Sequence, residues 1–295
     1  MKRKGSLQDR IFNVINYSIM MVLVIITFYP LLYVLFASLS DPKLLMAHQG
    51  LLFKPLGKMT LKGYEITFQN PSILIGYRNT IFYVVVGTAV NLVLTSLGAY
   101  VLSKKHFLLR KFLMKVIVIS MFFHGGIIPM FFVIKGLGMY DTPWSIILPT
   151  AINAYNLIIM RTFFENIPAS LEEAAVIDGA TDFDIFIRVV LPLSKPVIAV
   201  MVLYYGVSHW NSWFNAMIYL RDRDIFPLQL FLREILLTSN SATAAVDTTQ
   251  MMEESFYKEL IRYCTIVVST VPILCIYPFL QKYFVKGVMI GAVKE

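Results

Sequence analysis

The residues best equipped for chemistry lie in one polar interruption of a greasy chain: Asn166-Ile-Pro-Ala-Ser-Leu-Glu-Glu-Ala-Ala-Val-Ile-Asp-Gly-Ala-Thr-Asp-Phe-Asp-Ile-Phe-Ile-Arg-Val-Val-Leu-Pro192. No nucleophile, base and metal ligands gather around it, so the chemistry it offers is recognition and not bond cleavage. The spacing predicts two short helices with a break. Ser170 and Glu173 stand at capping-box spacing and would start the first. Gly179 is suited to a left-handed cap that ends it. Thr181 or Asp182 would cap the second, whose Phe183, Phe186, Ile187 and Val190 repeat at i, i+3, i+4 and i+7. Pro192 would stop it. Small residues beside a glycine turn let another protein approach closely.

A second set combines amides and aromatic rings inside apolar stretches. Asn153 and Asn156 fall three apart on one expected helical face with Tyr155 between them, and Trp210, Asn211, Trp213 and Asn215 follow in a later stretch. Sugars present hydroxyls to amides and C–H faces to rings, so the mixture suits a glycan path; intramembrane polar groups tend to face a wet cavity. Each also has an ordinary structural use, Asn as a bridge between helices and Trp as an interface marker. The lone Asn91 and His124 read as packing contacts.

The elements that must position these residues are membrane helices. Of 295 residues 57% are hydrophobic and 15% charged, and the mean hydropathy is +0.68. Soluble domains carry roughly 25% charged residues. Six stretches are long enough to cross about 30 Å of hydrocarbon: Tyr17 to Leu39, Asn79 to Leu102, Phe112 to Ile134, Trp144 to Phe164, Val197 to Leu220 and Ile261 to Phe284. The expected class is all-α and polytopic. The first stretch exceeds a signal h-region and lacks a small-x-small cleavage site, so it reads as a retained helix, kinked at Pro30.

Lys104, Lys105, Arg110, Lys111 and Lys115 crowd the short loop after the second stretch, which places that loop, and both termini, in the cytoplasm. The parts are then a cytoplasmic N-terminus at 1–16, a membrane domain at 17–284 and a cytoplasmic tail at 285–295. Residues 165–195 form a cytoplasmic loop and 221–260 an external one. The net charge of +8 is scattered between apolar runs and forms no nucleic-acid stripe. Cys264 and Cys275, eleven residues apart on one helix, would lie roughly 16 Å apart, out of disulfide reach. No zinc spacing is present.

Here the motifs support a resemblance. Glu173-Ala174-Ala175, Gly179 four residues on, Val189 and Leu191-Pro192 resemble the EAA motif of ATP-binding-cassette (ABC) importer permeases. The flanks are similar to the carbohydrate branch related to the maltose system's smaller permease, of the LplB/YtcP kind. They include Phe28-Tyr29-Pro30, Gly76-Tyr77-Arg78-Asn79-Thr80, Phe123-His-Gly-Gly-Ile-Ile-Pro129, and the tail with Gln281 to Gly287 and Gly291 to Lys294. The likeness covers essentially the whole chain. Val189 stands where the family usually has Ile, and Glu295 where it often ends in Gly.

The resemblance implies a type I importer fold in a bacterial inner membrane. It implies a second, related permease (a heterodimer), two ATPase subunits and an external solute-binding protein delivering an oligosaccharide, neutral or acidic. Glu173, Ala174, Ala175, Asp178, Gly179 and Ala180 would form the ATPase contact on the coupling helix. The chain has no Gly-x4-Gly-Lys-Ser/Thr loop, so ATP and Mg belong to the partner ATPase, and this chain binds no cofactor and is no enzyme. The tail at Lys282, Lys286 and Lys294 would reach the ATPase pair or serve as positive-inside anchoring. The external stretch Ser239 to Gln250, with Met251-Met252-Glu253-Glu254 after it, would meet the binding protein. An ion-coupled secondary sugar transporter acting alone is the alternative; it calls for embedded acids or inverted repeats, and the spans hold almost no Asp or Glu and no convincing repeat. A membrane enzyme finds no catalytic set near the span ends.

Overall fold

The computed structural model describes residues 7–123, 125–238 and 250–292, with the side chains at 238, 250–255, 277 and 279–292 left undescribed. His124, the Ser239–Glu254 loop apart from its backbone from 250 on, and the side chains of the Lys282, Lys286 and Lys294 tail lie outside the described residues. All regular structure among the described residues is helical. The chain divides into two compact units, 1–70 with 234–270, and 71–233 with 271–295.

In the first unit the Leu7–Ser38 helix has 32 residues, about 48 Å at 1.5 Å per residue and ample for a bilayer. It continues as one helix through Pro30 and buries only Ala37 and Ser38. Ile15, Leu23, Ile26 and their neighbours are exposed, at no cost where lipid is the solvent. The loop expected from Ser40 onward holds two short helices, Pro42–Ala47 and Lys62–Gln69. Asp41 caps the first through the amides of Lys43 and Leu44. Ala37, Leu45, Leu52, Leu260 and Cys264 form the local core, and Gly63 lets Leu260 and Cys264 close on its backbone.

In the second unit the expected second span is the Pro71–Ser103 helix, starting eight residues early, with a π turn at Tyr83–Gly87. Its first turns are polar because they grip a loop. Asn79 Nδ2 donates to the carbonyls of Asp224 at 2.7 Å and Phe226 at 2.9 Å, and Tyr83 donates to that of Ile225 at 2.7 Å. The Leu228 amide donates to Thr80 Oγ1 at 2.9 Å. Gly76 is required there: a Cβ would meet Leu228 Cα at 2.9 Å and its N at 3.2 Å.

The three following spans are broken where single helices were expected. The third splits into Arg110–Ser120 and Ile127–Gly136, because Gly126 sits at φ 89°, a conformation only glycine adopts freely. The fourth is Trp144–Thr150 and Ala154–Glu165, bent by 50°. The fifth is Lys195–Trp210, then a break, then Phe214–Tyr219. The Asp182–Leu193 helix meets Lys195–Trp210 at 81°. Among the described residues three helices are long and apolar enough to cross a membrane, or up to five when each bent pair counts as one. The last is Phe256–Ile276, within a Gln250–Ala292 helix that passes through Pro272 and Pro278.

Ala99, Tyr100, Leu102, Leu157, Met160, Phe164, Ile185, Phe186, Val190 and Met201 make the main core. It joins the Pro71–Ser103 and Ala154–Glu165 helices to the elements around 182–205. Replacing Gly76 with Ala should cost about 1–3 kcal/mol by overpacking against backbone that cannot swing aside. Thermal unfolding in detergent would show this as a lowered midpoint; an unchanged midpoint would mean that the 228 backbone is free to retreat.

Candidate functional site

The 165–195 loop is two helices joined by a glycine turn, with corrections at three positions. The first helix is Ala169–Ile177, and its N-cap is Pro168, with no side-chain cap. Ser170 thus sits inside the helix, and the Ser170–Glu173 box does not form: Pro168 fixes the start two residues earlier than the hydroxyl would. The C-terminus closes as foreseen. Gly179 has φ 82°; its amide donates to the Val176 carbonyl at 3.0 Å and the Ala180 amide to that of Ala175 at 2.9 Å. This paired pattern is a Schellman motif.

Thr181 caps the second helix in a full capping box with Asp184. The Thr181 hydroxyl and amide donate to the Asp184 carboxylate and hold it below the usual carboxylate range. Pro192 does not end this helix. A π turn at Phe186–Val190 resets it, leaving Pro192 in the first turn of Leu191–Leu193, where no N–H is needed. The bend falls at Ser194 instead. The extra residue in the π turn also rotates the apolar face: Ile185, Phe186 and Val190 are buried, whereas Phe183 at 63% and Ile187 at 44% exposure are not.

Within the small-residue turn, Glu173, Ala174, Asp178 and Gly179 are exposed, while Ala175 and Ala180 are half-buried against the core. Leu171, Val176 and Ile177 are exposed beside them. Glu172 turns inward and pairs with Lys104.

The second constellation surrounds a cavity. The break at 151–153 frees the carbonyls of Thr150 and Ala151, and Asn91 Nδ2 donates to both, at 2.6 and 2.9 Å. That leaves Asn91 Oδ1 as an acceptor, 2.6 Å from His209 Nε2, so the network assigns the Nε2–H form to the ring. Both side chains are buried. Gly87 makes room, since a Cβ there would lie 2.5 Å from His209 Nε2. Asn153 is the N-cap of Ala154–Glu165, its Oδ1 accepting from the Asn156 amide at 3.1 Å. It is therefore not a helical residue sharing a face with Asn156.

The bends enclose a cavity of about 650 Å³ lined by Asn153, Tyr155, Asn156, Tyr204, Tyr205, Ser208 and His209 among others. A neighbouring one of about 210 Å³ is lined by Asn211, Trp213, Asn215 and again Thr150, Ser208 and His209. Neither lining contains Asp, Glu, Lys or Arg. Trp210 lies elsewhere, buried and edge-on to Tyr77 at 6.2 Å. Tyr204, Tyr205, Ser208 and His209 were missed; Tyr204 and Ser208, four apart, carried the signal of one polar face on an apolar helix. Arg233 lies over the Trp213 ring at 5.0 Å. Asp141, at φ 58°, accepts the Arg221 and Asp222 amides at 2.7 and 2.9 Å, which lowers its pKa.

Broken apolar helices around a cavity without Asp, Glu, Lys or Arg, with an exposed small-residue turn on a separate loop, fit a membrane transport subunit. The family described as binding-protein-dependent transport system inner membrane component matches residues 91–212, from Asn91 through both halves of the site. The chain is 40% identical over 289 residues to the polygalacturonan/rhamnogalacturonan transport system permease protein YtcP of Bacillus subtilis (strain 168), covering 98% of this chain and 100% of that one. It is 41% identical over 285 residues to protein LplC of the same organism, covering 97% and 95%. A solved chain of a bacterial ABC transporter involved in the import of the acidic polysaccharide alginate superposes with a TM-score of 0.85 at 33% identity, covering 95% of this chain and 99% of that one. The chain belongs to the binding-protein-dependent inner membrane component family and is a permease subunit of an ABC importer, a transport subunit working with ATPase and solute-binding partners.

Thr181→Ala removes a cap and should cost about 0.5–2 kcal/mol locally, read as faster hydrogen exchange at the Asp184 amide. The contribution of Asp184 has a definite pH sense. Its folded pKa is depressed, so its stabilisation is complete above the ordinary value of about 3.9 and is lost as pH falls through the lowered folded value. Exchange protection of that turn should hold at neutral pH and fade only in strong acid. Fading near neutrality would contradict the assignment.

Proposed function

We propose that this chain and a second, related permease form a heterodimeric path for an oligosaccharide in a bacterial inner membrane, with both termini in the cytoplasm. Two ATPase subunits, which hold the ATP and Mg, bind below the permease pair, and Glu173, Ala174, Ala175, Asp178, Gly179 and Ala180 of the 165–195 loop form this chain's ATPase contact. A binding protein delivers substrate at the 221–260 side. Residues 17–284 are the membrane domain, between tails at 1–16 and 285–295.

The observation that carries the glycan reading is the pair of cavities, where amides, hydroxyls and aromatic rings share the lining with a few aliphatic side chains such as Ile152 and Ile146, and with no Asp, Glu, Lys or Arg. Hydroxyls of a sugar exchange hydrogen bonds with such groups, and its C–H faces cover rings. Asn153, Tyr155, Asn156, Asn211, Trp213 and Asn215 are the path residues supported by this geometry; Trp210 lines neither cavity. The substrate is an acidic oligosaccharide. One solved relative takes part in the import of the acidic polysaccharide alginate, and the guanidinium of Arg233, over the Trp213 ring, supplies a cation beside an otherwise uncharged wall.

The test is ATPase activity of the complete complex in lipid with its binding protein, across uronate-containing and neutral oligosaccharides. Uronates should stimulate hydrolysis, and Arg233→Gln should weaken that stimulation about fivefold or more, the loss of a charge-assisted contact. Stimulation by neutral sugars alone would overturn the acidic assignment. On the loop, Gly179→Trp adds a bulky side chain to the docking turn and forces a non-glycine residue to φ 82°. Hydrolysis should then lose its response to substrate, or the ATPase should fail to copurify; normal transport would exclude the docking role.

A further inference from the structure

We propose that the Pro71–Ser103 helix is the strut that carries movement of the 165–195 loop to the cavity, with Lys104 at its loop end and Asn91 beside the cavity as the positioning residues. This rests on the permease reading of that loop.

At the loop end the strut is tied to both docking helices. The Lys104 ammonium pairs with Glu172 of Ala169–Ile177 and lies 4.1 Å from the centroid of the Tyr100 ring. The Tyr100 hydroxyl donates to the Asp182 carbonyl at 3.0 Å, at the start of the second docking helix. Arg161 Nε donates to the Leu102 carbonyl at 3.1 Å. Its guanidinium also pairs with Glu165 at 2.5 Å, and Glu165 takes Arg110 as well. The side chains of Lys104 and Glu172 are only 14% and 27% exposed, so this pair is screened by salt less than a surface pair.

At the cavity end the same helix holds two wall elements. Asn91 binds the freed carbonyls of Thr150 and Ala151 and the His209 ring. One turn along, Thr95 shares a 2.7 Å hydrogen bond with Tyr205, whose hydroxyl accepts the Asn153 amide at 3.3 Å. Asn153, Tyr205 and His209 all line the larger cavity. From Lys104 to Asn91 is thirteen residues, roughly 20 Å of helix, and the side chains at 95, 96, 99 and 100 between them are buried. The helix breaks that could bend lie at 151–153 and at Ser194. Adjacent carboxylates thereby divide their work: Glu173 stays exposed for a partner while Glu172 grips the strut.

The basic residues beside the second span thus do more than set topology. The experiment reconstitutes the complete complex in proteoliposomes and measures oligosaccharide accumulated per ATP hydrolysed. Lys104→Met and Glu172→Met should each lower that ratio about tenfold, within the usual range for coupling between sites, while the ATPase still copurifies and hydrolyses ATP. The exchanged pair, Lys104→Glu with Glu172→Lys, should recover most of the ratio, which a loss of mere folding stability would not predict. Thr95→Val, which leaves the loop end intact, should also lower the ratio and decides the matter if the charge variants do not assemble. Wild-type ratios in the Met variants or in Thr95→Val would overturn the strut, as would failure of the exchanged pair to recover. If the unaltered complex shows no ATP-driven uptake, the permease reading itself falls and the strut with it.

Discussion

Everything at the site depends on how a bilayer protein satisfies backbone groups set free by a broken helix. An unsatisfied carbonyl in hydrocarbon costs several kcal/mol, so a span can open for a cavity only if a side chain replaces the missing donors. Asn91 does this for the fourth span with one amide and two carbonyls. Its remaining oxygen fixes His209, and Gly87 leaves the space that ring occupies. The second, fourth and fifth spans meet at this point, and the cavity is the volume that their bends leave open.

This constraint explains which parts of the molecule were legible beforehand. The turn at Gly179 and the cap at Thr181 rest on bonds between neighbours in the chain, so residue type and spacing carried them. The Asn79–Thr80 motif was visible as a motif, but its use, gripping the backbone of residues 224–228, was not. The breaks in the third to fifth spans were invisible. Apolar composition runs straight through them, and the residue that stabilises the fourth-span break lies 59 positions away. The same limit hid His209, which pairs with a residue 118 positions distant. Pro192 and Ser170 misled for a local reason: the π turn and Pro168 took over the roles that propensity gave them.

The exposed turn of the 165–195 loop and the cavity are separate surfaces of this transport subunit. Neither surface carries reactive groups. One presents small side chains and a glycine turn beside exposed Leu171, Val176 and Ile177; the other presents amides and rings. Between the two lies the extensive packing of Pro71–Ser103 on Ala154–Glu165. The ion pairs at the loop and the Asn91 network at the cavity sit at opposite ends of that packed interface.

The most direct test of the account is uptake of a labelled uronate oligosaccharide into proteoliposomes holding the complex, with ATP either trapped inside or left out and with ion gradients collapsed. The account predicts accumulation only when ATP and the ATPase subunits share one side and the binding protein stands on the other. Accumulation without ATP, driven by an imposed ion gradient, would contradict it and identify a secondary transporter instead.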